Sequence, residues 1–132
     1  MTNTEFSNSY FNSARQVIKE AEGHFADQSW HLVVRRCQEC VELCLKGMLR
    51  GAGLEVPRLH DVGFLFRQET KRFPGMPVDR IVSISRRLRS EREISYYGDD
   101  LTETPPDQLY TEKDAVEALD DARFIMTLIP SE

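Results

Sequence analysis

The residues best equipped for chemistry sit in one basic stretch, Arg86-Arg87-Leu88-Arg89-Ser90-Glu91-Arg92-Glu93-Ile94-Ser95-Tyr96-Tyr97-Gly98-Asp99-Asp100. Arginine presents a planar fork of N–H donors that fits a phosphate, and tyrosine can stack on a base or donate a hydrogen bond. Arg89, Arg92, Tyr96 and Tyr97 are thus the candidates for a binding role. As a general base at neutral pH tyrosine is poor, because its unperturbed pKa is about 10. A second polar pair, His60-Asp61, reads as a helix cap that fixes its loop, with a part in a polar site as the alternative.

Two other clusters invite a metal or redox reading and do not sustain it. Cys37, Cys40 and Cys44 are the only cysteines, an odd number within two helical turns. A disulfide framework does not fit that count, and a zinc or thioredoxin-like CxxC lacks the second CxxC, the histidine pair or the βαβ pattern it would need. On an apolar helical stripe such thiols act as small hydrophobes. His24, Asp27 and His31 straddle a predicted helix break, where surface or capping roles fit better than ligation. No metal and no cofactor is expected.

The elements that must position these residues are helical throughout. Trp30 to Leu49 carries Trp30, Val33, Val34, Cys37, Cys40, Val41, Cys44, Leu45 and Met48 at steps of three and four, with Arg35, Arg36, Glu39, Glu42 and Lys46 on the other face. This is the organising core helix, and Gly51 with Gly53 is suited to end it. Before it, Phe6, Tyr10, Ala14, Val17, Ile18, Ala21 and Phe25 predict a first helix from about Glu5 to Phe25. After it, a short helix should begin at His60 or Asp61 and end before Phe73-Pro74-Gly75-Met76-Pro77. A fourth helix should span Val78 to Tyr97, with Val78, Ile81, Ile84, Leu88 and Ile94 inward and the arginines outward. Leu101 to Leu109 reads as a loop, and Thr111 with Asp114 as a capping box opening a last helix through Ile129. No strand pattern occurs. The expected fold class is all-α, an antiparallel up-and-down four-helix bundle with an additional short helix, in a single domain over residues 1–132.

Composition agrees. The chain is 40% hydrophobic and 30% charged, contains no apolar run of roughly 18 residues and opens without a basic-then-apolar leader, so a cytoplasmic, membrane-free location is expected. A formal net charge of −5 argues against bulk attraction to nucleic acid. The sign is uneven, however: eight basic residues face three acidic ones from Arg67 to Arg92, whereas ten acidic face two basic from Gly98 onward.

In order and spacing, the chain resembles the HEPN family (higher eukaryotes and prokaryotes nucleotide-binding). The matching residues are Gln38-x3-Glu42-Leu43-x-Leu45-Lys46, Gly53-x3-Pro57-x2-His60-Asp61-Val62, the arginine-then-tyrosine end of helix four, and Tyr110-Thr111-x2-Asp114-Ala115-x2-Ala118-Leu119-x2-Ala122. The resemblance, which spans Ala14 to Ile129, implies a helical bundle that commonly dimerises. It also implies nucleotide binding, metal-independent RNA cleavage, or partnership with a minimal nucleotidyltransferase in a toxin–antitoxin module. Cleavage-competent members carry an arginine followed four to six residues later by histidine. Here Arg92 matches the arginine and Tyr97 stands where the histidine would be, with no histidine after His60. The expectation is a non-catalytic module in which Arg89, Arg92, Tyr96 and Tyr97 line a homodimer cleft for a nucleotide, RNA or protein partner. The alternatives are a ribonuclease in which Tyr97 or His60 replaces the usual base, and a structural dimer without ligand.

Overall fold

The computed structural model describes residues 2–56, 58 and 62–131. Five α-helices follow one another: α1 (Asn3–Ala26), α2 (Trp30–Gly51), the short α3 (Phe64–Gln68), α4 (Val78–Tyr97) and α5 (Glu112–Met126). Single 3-10 turns lie at Thr70–Arg72 and Pro106–Gln108. The fold is an antiparallel four-helix bundle plus α3, and the described residues form no strand, only a two-residue bridge between Asp99 and Thr104. None of the helices is long and apolar enough to cross a membrane.

Local chemistry fixes the ends. Thr2 and Glu5 form a capping box at the start of α1, with the Thr2 Oγ1 accepting from the Glu5 amide at 3.1 Å and the Glu5 carboxylate accepting from the Thr2 amide at 2.7 Å. Thr111 and Asp114 repeat the device at α5, as their spacing predicts. At the end of α2 the left-handed conformation belongs to Gly53, with φ +81°, while Gly51 remains helical. The short helix begins at Phe64, later than the expected start at His60 or Asp61. Those two residues lie outside the described residues.

Helix α2 is the hub. It packs on α1, α4 and α5, which touch one another far less, so its buried arc is wider than one stripe and takes in Gln38, Gly47 and Leu49 beside the predicted residues. On α1 the expected stripe is displaced by one position near the start: Ser7 and Phe11 are buried, whereas Phe6 and Tyr10 are half-buried. The reason lies on α2. A Cβ at Gly47 would stand 2.5 Å from the Phe11 ring, and the Ser7 hydroxyl donates to the Gly47 carbonyl at 2.7 Å, so the bare backbone of Gly47 admits α1 closely enough for that polar link.

On α4, Ile81, Val82, Ile84, Ser85, Leu88 and Ser95 are buried. The expected inward Ile94 is instead 41% exposed. The helical repeat that buries Leu88 reaches Ser95 one position later, which turns Ile94 to the rim.

The end of α4 is locked by glycine. Gly98 adopts φ +85°, and a Cβ there would lie 2.4 Å from the Thr104 carbonyl oxygen, which accepts from the Asp99 amide at 2.9 Å to close the bridge. Gly98→Ala should therefore cost roughly 1–3 kcal/mol, a left-handed residue and a backbone clash at once. Denaturant titration checks this, and a variant as stable as the parent would show that the loop has another way to close.

Candidate functional site

A groove of about 380 Å³ opens between α2 and the C-terminal half of α4. Arg35, Arg36, Gln38 and Glu39 form one wall, and Arg92, Glu93, Tyr96 and Tyr97 the other. The helical repeat explains the second wall, since residues 92, 93 and 96 fall on one side of α4.

Arg92 bends across towards α2. Its Nη1 donates to the Gln38 side-chain oxygen at 3.4 Å and stands 3.6 Å from the Glu42 carboxylate. Glu42 is itself 3.7 Å from Lys46 Nζ, and both side chains are largely buried, so a carboxylate held by two cations fixes the arginine at the groove. Arg35 donates to the Ser95 carbonyl at 2.9 Å and lays its guanidinium over the Tyr96 ring, 4.6 Å from the centroid. Tyr96 meets Tyr97 edge-on at 4.7 Å between ring centroids. These tyrosines are 57% and 72% exposed, so they do not close the core. Arg36 is paired with Glu39 at 2.9 Å and Glu20 at 3.2 Å, which leaves it structural in part.

Of the residues singled out in the sequence, Arg92, Tyr96 and Tyr97 come together. Arg89 lies one turn earlier on the exposed face of α4, outside the groove lining. Arg35, Gln38 and Glu42 were not legible as site residues, because their partners are 50 or more positions away and local periodicity carries no such signal.

The other chemical candidates lie elsewhere. Cys37, Cys40 and Cys44 are fully buried and unpaired, and the Cys44 thiol approaches the Met126 sulfur at 3.4 Å. Burial pushes the Cys37 thiol from 9.0 up to about 12, and the hydrogen bond with Cys44, together with burial, raises Cys40 as well. Iodoacetamide near pH 8 should leave all three unlabelled in the native protein and modify all three after unfolding, with intact mass as the readout; labelling of the native protein would contradict the packing. Burial, with help from Arg35, lowers the pKa of His31. Among the described residues no group of three or more His, Cys, Asp and Glu is arranged to hold a metal ion.

The fold is a small all-α domain with a groove lined by arginines and tyrosines between α2 and α4. The HEPN domain profile matches residues 7–131, and the chain belongs to the HEPN domain family. The crystal structure of TT1696 from Thermus thermophilus is similar over 92% of this chain and 93% of that one, with a TM-score of 0.80 and 24% identity. ST0689, an archaeal HEPN homologue, covers the same shares at a TM-score of 0.72 and 24% identity. At that identity the likeness concerns the fold. No curated protein matches the sequence.

Proposed function

We propose that this HEPN-domain protein is a non-catalytic binding module that holds a nucleotide or a short RNA end in the groove between α2 and α4, closed by a second copy of the chain. One observation carries the reading: Arg92, a phosphate-matching fork, is fixed beside the exposed Tyr96–Tyr97 pair, a surface on which a base can stack. The exposure of both rings supports an interface there, since tyrosine is enriched in protein interfaces relative to the rest of the surface. Among the described residues no histidine lines the groove, and His60 lies outside the described residues. Tyr97 occupies the position five residues after Arg92, and neither His24 nor His31 lines the walls.

The test is a titration of a fluorescently labelled short single-stranded RNA in the presence of a chelator, followed by gel analysis of the RNA. Saturable binding that weakens with salt, with the RNA left intact, is expected. Absence of saturation overturns the reading, and cleavage that disappears with Arg92→Ala replaces it with a ribonuclease.

A further inference from the structure

A second groove lies on the opposite flank of α4, facing α5, and shares no residue with the one above. It encloses about 310 Å³ between the last turns of α4, the first turns of α5 and the Leu109-Tyr110 segment. Its floor is apolar, made by Leu88, Ile94, Leu109 and Ala118, and Ile94 leaves 41% of its surface uncovered there. Its rim carries Glu91, Asp114, Glu117 and Asp121 against a single cation, Arg87. Internal pairing uses part of that charge: Arg87 meets Asp121, and the Tyr110 hydroxyl donates to Glu91. Asp114 spends one oxygen on the Thr111 cap. Three net negative charges still surround the apolar floor, and Glu117 has no partner among the described residues.

We infer that this groove docks a basic amphipathic helix of a partner protein, with an aliphatic side chain against Ile94 and Leu88 and flanking arginines or lysines opposite Glu117, Asp114 and Glu91. The argument is charge complementarity over an apolar floor. Side chains of α4 and α5 line its two sides, the kind of apolar groove in which an amphipathic helix lays its apolar face. A volume at the low end of the roughly 300–1,000 Å³ typical of ligand pockets admits one anchoring side chain with its neighbours. Acidic residues at the edge repel an anionic partner and select a cationic one, as complementary rims do at protein interfaces. The inference is independent of the nucleotide reading, because an RNA would be repelled from this flank.

The probe is an alanine-based peptide of roughly 18 residues, long enough to be helical in water, with leucine anchors flanked by arginines. Its counterpart carries glutamate at every arginine position. Amide chemical-shift titration of the whole protein should give saturable shifts centred on Ile94, Leu109 and Ala118 with the arginine peptide. Glu117→Lys should weaken that binding about tenfold and Ile94→Ser by a similar factor, whereas Asp120→Lys, the same charge change on exposed α5 surface outside the groove, should leave it unaltered. Both substituted groove residues are exposed, so circular dichroism should report an unchanged fold. Equal binding of the glutamate peptide, shifts centred elsewhere, or no saturation up to roughly 1 mM would overturn the inference. Self-association that Ile94→Ser abolishes would also overturn it by assigning the groove to a second copy.

Discussion

Raising the pH from 9 to 12 should strip the fold of about 4 kcal/mol through Cys37 alone, because its thiol stays protonated in the native state up to about 12 and titrates at 9.0 when exposed. The sign follows from proton counts. Above pH 9 the unfolded chain has released a proton that the native chain still holds, so the stabilisation is complete below pH 9 and drains away as the pH climbs towards 12. Cys40, raised by its hydrogen bond to Cys44 and by burial, acts in the same direction. So does Tyr110, raised by burial and by the hydrogen bond its hydroxyl donates to Glu91. Against a total stability of roughly 5–15 kcal/mol for a domain, such a loss removes a large part of the margin by pH 12. Denaturant midpoints measured at successive pH values under reducing conditions test this. The Cys37→Ala/Cys40→Ala double variant should be less stable at pH 8, having lost buried volume, but its stability should fall more slowly above pH 9. Parallel decline of parent and variant would show that the thiols are not what titrates.

The same cysteines illustrate what the sequence conveys. Their steps of three and four place them on the stripe that the fold buries, and the caps at Thr111 and the glycine beyond α2 are equally local, so they read correctly without tertiary knowledge. The misplaced stripe at the start of α1 has a different origin. Phe6/Tyr10 and Ser7/Phe11 both have helical spacing, and the larger apolar pair invites selection; what decides is the bare backbone of Gly47 across the interface. Ile94 errs for a related reason, since apolar character alone does not distinguish a core position from the rim of a groove. At the site, the arginine and tyrosines were legible from type and spacing. The groups that aim them were not: Glu42 holds Arg92 and Arg35 covers Tyr96 across 50 and 61 positions of chain, and such pairings emerge only when α2 and α4 are laid side by side.

Glu42 also sets the sign of the most discriminating test of the groove. In the free protein its carboxylate and the Gln38 oxygen both lie against Nη1 of Arg92, one end of the fork that a phosphate would need. An incoming phosphate therefore competes with a resident anion. Arg92→Ala removes a charge-assisted contact worth roughly 1.5–3 kcal/mol, so RNA affinity should fall roughly 10- to 100-fold and the salt slope should shrink by about 0.7 for one lost phosphate contact. Glu42→Gln should do the reverse, tightening binding by roughly 2- to 10-fold because Arg92 is released at a partly exposed pair of modest strength. Its fold should nevertheless be weakened by roughly 1 kcal/mol, since Lys46 and Arg92 then lack their shared carboxylate. Opposite movements of affinity and stability in Glu42→Gln are a signature that a purely structural ion pair cannot give: in that case both variants would lose stability and neither would alter the anisotropy titration. Loss of RNA affinity in Glu42→Gln would mean that Glu42 positions Arg92 for the ligand more than it competes with it, and the groove would then be preorganised instead of gated.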